Sequence, residues 1–165
     1  LLERGKALGT GGWLSFINRK HFSENFFVCN ADNIFNLELN DMLAQHEKSH
    51  ALVTIACTHV KDVRPYGSVH VRDNKVQSFE EKAKSRVKKS GWVNAGYYVF
   101  SPGFFEWFDK NMSSLKGEYI SLERDVFPLL AKQGLLGGYQ SNGQWFDTGS
   151  IERYEQAIRD WQGII

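Results

Sequence analysis

The sequence has no apolar run approaching the ~18 residues that a membrane helix needs, and its first residues do not have the form of a secretory leader. We therefore expect no membrane partner. No sign of charge dominates: 20 Lys and Arg face 19 Asp and Glu, for a net charge of +1. A general nucleic-acid binder carries a stronger basic excess, so nucleic acid is not an expected partner either. There are only two cysteines, Cys29 and Cys57. Both lie in apolar, strand-like runs, so both are expected to be buried, reduced thiols in a cytoplasmic protein. Internal repeats, long linkers and low-complexity tracts are missing too. With 42% hydrophobic and 24% charged residues, the chain matches an ordinary globular domain, not a disordered or collagen-like one. A chain of 165 residues buries roughly 70% of its unfolded surface and needs no disulfide or metal staple. It reads as a single α/β domain over residues 1–165.

Hydrophobic periodicity supplies the elements. Phe26-Phe27-Val28-Cys29 is a short apolar run ending in Asn30-Ala31-Asp32-Asn33, a buried strand with polar groups at its C-terminal end. From about Leu37 to Ser49 a helix is expected, with Leu39, Met42, Leu43 and His46 on one stripe. Ala51–Thr58 is apolar and β-branched, a second buried strand. Strand, helix and strand in succession predict a βαβ unit with a parallel pair. Further on, Asp73-Asn74 is a two-residue hairpin signal between Ser68–Arg72 and Lys75–Lys82. Trp92–Phe100 is strand-like, and Ser101-Pro102 opens a helix with serine at the cap. Ser121 caps another helix reaching Lys132, which Pro128 splits or kinks. Leu135–Gln140 and Gln144–Phe146 are short strands. Ser150 caps a last helix whose Ile151, Tyr154, Ala157, Ile158 and Trp161 form one stripe.

Several local patterns carry chemistry. His46-Glu47-Lys48-Ser49-His50 matches the zinc-protease pattern of two histidines one turn apart. Its context argues against zinc: the helix ends at His50, His46 lies on the packed stripe, and no third ligand follows at a characteristic spacing. The basic residues Lys82, Lys84, Arg86, Lys88 and Lys89 read as a solvated loop, except that Lys82 follows Phe79-Glu80-Glu81 at a strand end. Asp32 and Asp147 both follow short strands, and ligands in α/β sheets gather at the carboxyl ends of strands. Two carboxylates meeting there can hold Mg²⁺, which completes its shell with phosphate oxygens. Each aspartate alone is explained equally well as a turn residue. Gly9-Thr10-Gly11-Gly12 is a glycine-rich loop that lets backbone approach a base or a phosphate, or simply makes a tight turn.

Taken in order, these patterns resemble the sugar-1-phosphate nucleotidylyltransferases, most closely the mannose-1-phosphate and heptose-1-phosphate guanylyltransferases. Leu8-Gly9-Thr10-Gly11-Gly12 is similar to the family's L-G-T-A-G loop, and Val28-Cys29-Asn30-Ala31-Asp32 to its V-x-N-G-D strand end. Tyr66-Gly67, Phe79-Glu80-Glu81-Lys82, Asn94-Ala95-Gly96, Ser121-Leu122-Glu123 and Trp145-Phe146-Asp147-Thr148-Gly149 follow in the family's order. The resemblance implies an incomplete Rossmann-like (GT-A-type) domain, a mixed sheet with flanking helices. It implies Asp32 and Asp147 as Mg²⁺ ligands, Gly9, Thr10 and Gly11 near the nucleobase, and Tyr66 beside Gly67 in the substrate site. Gly67, Glu81, Asn94 and Gly96 would hold the sugar, and Lys82 its phosphate. Lys82 and Asp32 would act in catalysis. The implied reaction is attack of a sugar 1-phosphate oxygen on the α-phosphorus of a nucleoside triphosphate, with release of pyrophosphate.

The sequence departs from the family at Ala31 for glycine, at Ala83 for proline, and at Ser150-Ile151 for Thr-Pro. It also holds no G-x-G-T-R-L loop, the family's triphosphate cradle, and it starts at Leu1 without a methionine. The expectation is thus a chain that begins in the middle of the family's domain and is inactive or weak alone. The alternatives are a non-catalytic sugar-phosphate-binding module and a subunit that completes the site of a separate N-terminal polypeptide. An open sheet edge at Phe26–Cys29 is expected to be shielded by self-association; a monomer in light scattering with that edge exposed would contradict this.

Overall fold

A computed structural model describes residues 7–80, 88–115 and 117–163. Six strands form the main sheet: β1 (Phe26–Cys29), β3 (Val53–Val60), β4 (Ser68–Arg72), β5 (Lys75–Glu80), β6 (Gly91–Phe100) and β7 (Leu136–Ser141). Their order is β1-β6-β3-β7-β5-β4, with β4 also touching β6 at Ser68 and Val93. A separate two-stranded ladder joins β2 (Asn33–Phe35) to β8 (Trp145–Asp147). The helices are α1 (Leu39–Lys48), α2 (Gly103–Met112), α3 (Phe127–Lys132) and α4 (Ile151–Asp160).

The expected parallel pair of the first βαβ unit is not formed. β6 lies between β1 and β3 and runs antiparallel to both, while β3 finds its parallel partner in β7. β1 is consequently an edge strand. It is half-buried, not buried: Phe26 and Val28 pack inward, whereas Phe27 is 41% exposed and Cys29 is exposed as well. The reading of two buried thiols therefore holds for Cys57 alone, and burial pushes its thiol far up from its ordinary value.

Both faces of β3 are covered, which is why it reads as one apolar run and not as an alternation. Val53, Ile55 and Cys57 point into the larger core, with Tyr98, Phe100, Phe104, Phe108, Phe127 and Leu130. Ala56 points to the other side, where Met42 of α1, Ala95 and Val99 form a smaller core. The hairpin at Asp73-Asn74 adopts the positive φ values, 51° and 59°, that a two-residue turn between twisted strands requires. Ser121 and Ser150 accept hydrogen bonds from the Arg124 and Arg153 amides at their helix starts. The first of these helices opens with a wide turn over Leu122–Val126 before α3 continues from Phe127, so the break falls next to Pro128.

Two further expectations are corrected. Ser101 does not cap α2 with its side chain; its hydroxyl turns back to the Ala51 carbonyl at 3.3 Å and to His46 Nε2 at 2.8 Å. On α4 only Ala157 of the apolar stripe is buried, while Ile151 is 75% and Ile158 65% exposed.

His46 is a packed core residue. Its Nδ1 lies 2.7 Å from Thr54 Oγ1 and its Nε2 2.8 Å from Ser101 Oγ. Ser101 spends its own proton on Ala51, so Nε2–H donates to Ser101 and Nδ1 accepts from Thr54. Both ring nitrogens are used, and the zinc pattern has no free ligand at this position. Burial pushes the imidazole below its ordinary value, against a smaller upward pull from Glu47. The unfolded chain therefore takes up this proton near pH ~6.5, and the folded chain only at a lower pH. Stability is expected to fall as pH drops below that value. Urea midpoints at pH 7.5 and 5.5 test this: the lower midpoint belongs at pH 5.5, and His46→Gln should shrink the difference. Equal midpoints for the wild type would contradict the burial argument.

Candidate functional site

Two segments far apart in sequence are locked side by side. In the β2–β8 ladder Asn33 faces Asp147 and Phe35 faces Trp145. The Asp32 carbonyl accepts from the Thr148 amide at 2.7 Å and from the Thr148 hydroxyl at 2.9 Å. Beyond the other end of the ladder, the Asn36 amide donates to the Gln144 carbonyl at 2.9 Å. This pairing brings Asp32 and Asp147 together.

Each carboxylate is held by one or two local donors. Asp32 Oδ1 accepts from Asn33 Nδ2 at 2.9 Å. Asp147 Oδ1 accepts from the Gly149 amide at 2.8 Å, and its Oδ2 forms an ion pair with Arg153. Arg153 is steadied by the Ser150 hydroxyl, which accepts from its amide at 3.4 Å and from its Nε at 3.3 Å. A β-carbon placed on Gly149 would lie 3.0 Å from Asp147 Oδ1 and 3.4 Å from Asp32 Oδ2. Both carboxylates thus face one small space, which the absent side chain of Gly149 keeps open.

That space opens into a cleft of about 620 Å³. Thr10, Asp32, Tyr66, Gly67, Asn94, Gly96 and Asp147 all line it. Asn94 is bound on both sides of its amide: Oδ1 accepts from the Gly96 amide at 3.0 Å and Nδ2 donates to Tyr98 OH at 3.0 Å. One amide hydrogen remains for a ligand. Burial pushes the Tyr98 phenol far up from its ordinary value, with Glu123 adding to the shift, so it stays protonated. The Asn94 amide donates to the Gly67 carbonyl at 3.1 Å, tying the Tyr66-Gly67 loop to β6. The Tyr66 ring meets Trp145 edge-on at 5.1 Å, and Trp145 Nε1 donates to the Ala95 carbonyl at 2.9 Å. Gly96 is needed where it stands: its φ is 79°, a conformation that side chains rarely adopt, and a β-carbon there would also crowd Asn33 Nδ2 at 2.7 Å.

The glycine-rich loop divides. Thr10 faces the cleft, donating to Glu123 Oε2 at 2.6 Å and accepting from the Leu122 amide at 2.9 Å. The close approaches of Gly9 and Gly11 are instead to Ile120, whose carbonyl accepts from the Gly11 amide at 2.8 Å. Glu81 and Lys82 lie outside the described residues. The cleft also holds residues to which no role was given from sequence: Asn30, Asn33, Tyr119, Glu123 and Arg124. The polar density of Asn30–Asn33 and the Ser121-Leu122-Glu123 motif signalled four of these positions or their neighbours. Arg153 had no signal, because one arginine on an amphipathic helix is ordinary.

The residues present fit a divalent cation of the Mg²⁺ kind. Two carboxylates converge on one gap, each with oxygen lone pairs left, and Mg²⁺ is usually bound by one or two carboxylates with substrate phosphates and water completing the shell. Among the described residues no group of three or more His, Cys, Asp or Glu side chains forms a metal cage.

Residues 5–163 match the family model described as Nucleotidyl transferase. The chain is 31% identical over 158 residues to D-glycero-alpha-D-manno-heptose 1-phosphate guanylyltransferase of Aneurinibacillus thermoaerophilus, covering 96% of this chain and 65% of that protein. It is 32% identical over 161 residues to UTP–glucose-1-phosphate uridylyltransferase of Synechocystis, covering 94% and 40%. It is 31% identical over 152 residues to mannose-1-phosphate guanylyltransferase catalytic subunit beta of Danio rerio, covering 90% and 40%. The chain spans 65% of the first of these relatives and 40% of the other two. Among solved structures, HddC from Yersinia pseudotuberculosis complexed with GMP-PN shares the fold with a TM-score of 0.72 at 24% identity, covering 96% of this chain and 65% of that one. A Bacillus anthracis structure in complex with a sucrose shares it with a TM-score of 0.78 at 22% identity, covering 97% and 65%.

Proposed function

We propose, from the premise that this chain belongs to the nucleotidyl transferase family, that its cleft takes a sugar 1-phosphate and the α-phosphate of a nucleoside triphosphate. These are the two partners of a transfer that releases pyrophosphate. The relatives named above act on heptose, glucose and mannose 1-phosphates, which supports the substrate class. The observation that carries the reading is the convergence of Asp32 and Asp147 over Gly149 at a cleft walled by amides, hydroxyls and aromatic rings.

Asp32 Oδ2 and Asp147 Oδ1 would hold Mg²⁺. When bound, Mg²⁺ neutralises phosphate oxygens and makes the α-phosphorus more electrophilic. The chain's own residues supply position. The remaining Asn94 amide hydrogen and the backbone around Gly67 and Gly96 meet sugar hydroxyls, and the Tyr66–Trp145 pair gives the ring an apolar wall. Lys82 meets the sugar's phosphate, as the resemblance implies. No general base is required: a phosphate monoester with a second pKa near ~6 is already an oxyanion at neutral pH. Holding it in line with the α-phosphorus is then the main contribution left to the protein.

Calorimetry with mannose 1-phosphate and glucose 1-phosphate in Mg²⁺, beside a pyrophosphate-release assay with GTP or UTP, tests the reading. The expected result is binding of at least one sugar phosphate. Little or no pyrophosphate is expected from the 165-residue chain alone, since it holds no G-x-G-T-R-L loop to cradle the triphosphate. Absence of binding to every sugar phosphate would overturn the substrate class. Robust pyrophosphate release would show that this chain handles the triphosphate without that loop.

A further inference from the structure

The charge inventory of the cleft is unbalanced. Three carboxylates line it, Asp32, Asp147 and Glu123; Arg153 stands behind Asp147 in an ion pair, and among the described residues Arg124 is the single cation of the lining itself. A doubly charged phosphate entering such a site needs cationic donors besides any divalent ion at the aspartates. Arg124 is placed to be one. The Leu122–Val126 turn that carries it is clamped at both ends of Ser121. The Ser121 amide donates to Asp125 Oδ2 at 2.7 Å, its carbonyl accepts from the Asp125 amide at 2.9 Å, and its hydroxyl accepts from the Arg124 amide at 3.2 Å.

The neighbouring carboxylates are engaged elsewhere. Asp125 serves the turn, and Glu123 Oε2 takes the Thr10 and Ser121 hydroxyls at 2.6 and 2.8 Å. Among the described residues Arg124 forms no ion pair. Its guanidinium carbon instead sits 5.4 Å from the centroid of the Tyr119 ring, which also lines the cleft and is 46% exposed. An arginine resting on an aromatic face loses less freedom when it forks onto a phosphate, because its plane is already oriented.

We propose that Arg124, backed by Tyr119, is a phosphate-binding residue of the cleft, a role that the resemblance does not assign to it. The ligand chemistry is a phosphate ester, carried by the sugar 1-phosphate or by the nucleotide, and the inference rests on the substrate reading above. Arg124→Met keeps the alkyl stem over Tyr119 and removes the fork; Arg124→Lys keeps the charge alone. Titrations of wild type and both variants with glucose 1-phosphate, mannose 1-phosphate and GTP, in Mg²⁺, separate the sources. The expected result is a weakening of about 10- to 100-fold in Arg124→Met, the scale of lost charge-assisted hydrogen bonds. Arg124→Lys should fall between, and the unfolding midpoint should not move. The ligand that loses affinity identifies which phosphate Arg124 holds. If the wild type binds and Arg124→Met binds every ligand within about twofold of it, the Arg124 assignment is overturned and the substrate reading stands. If the wild type binds none of them, both fall.

Discussion

Gly9→Ala is expected to cost the fold about 3 kcal/mol, the sum of a left-handed backbone penalty and a forced backbone shift. Gly9 has a φ of 75°, and a β-carbon there would collide with the Ile120 carbonyl and lie 3.0 Å from Tyr119 Cζ. The collision is with main chain, which cannot swing aside as a flexible side chain would. It would also strain the exchange that joins the two segments, Ile120 amide to Leu8 carbonyl at 2.9 Å and Gly11 amide to Ile120 carbonyl at 2.8 Å. Thr10 and its bond to Glu123 lie between those contacts. For a domain of this size the loss corresponds to a Tm lower by about 6–12 °C. Gly134→Ala is the control: its φ is 69°, but nothing lies within 4 Å of the added carbon. It should therefore show only the backbone penalty of about 1 kcal/mol. Equal effects of the two substitutions in thermal melts would show that packing against Ile120 does not constrain the loop.

The second large effect concerns the paired aspartates. Asp32→Asn or Asp147→Asn removes one of two charges facing the same gap. Opposite unit charges ~4 Å apart attract by about 4 kcal/mol in a partly buried setting, more for a divalent ion. Losing one carboxylate is therefore expected to weaken divalent-cation binding by about 100-fold or more. Gly149→Ala should act on the same gap without touching a charge. Its methyl would sit 3.0 Å from Asp147 Oδ1 and 3.4 Å from Asp32 Oδ2, where a bound ion needs its room. Its expected loss is smaller, about 10-fold. The Arg153 ion pair already occupies Asp147 Oδ2, so Oδ1 is the oxygen that faces the gap.

Local signals carried much of the fold. The Asp73-Asn74 turn and the Ser121 and Ser150 caps follow from short-range rules of backbone sterics and side-chain hydrogen bonding. Strand order did not follow, because periodicity describes a strand's faces and not its neighbours. Nothing within Phe26–Cys29 or Val53–Val60 shows that Gly91–Phe100 inserts between them. Exposure at the rim was equally hidden. Ile151, Tyr154 and Ile158 make the same pattern whether or not a surface covers them, and an edge strand such as β1 keeps only half of its apolar run inside. In the cleft, the meeting of Asp32 and Asp147 was legible because both follow short strands, whose carboxyl ends gather on one side of an α/β sheet. The clamp that aligns them was not, since β2 and β8 are three-residue strands, too short for a periodic signal. Nor was the division of the glycine loop legible: a glycine facing a ligand and one facing the Ile120 carbonyl look alike in sequence.

The most direct test is a Mn²⁺ titration followed by electron paramagnetic resonance, with Mn²⁺ standing in for Mg²⁺. Wild type, Asp32→Asn, Asp147→Asn and Gly149→Ala would be compared in the presence of GTP and of a sugar 1-phosphate, after correction for Mn²⁺ bound by those ligands alone. One protein-dependent site is expected in the wild type, lost in both asparagine variants and weakened in Gly149→Ala, with all four proteins unfolding at similar urea concentrations. Equal Mn²⁺ binding by wild type and both asparagine variants would contradict the claim that Asp32 and Asp147 together form the metal end of a nucleotidyl-transfer cleft.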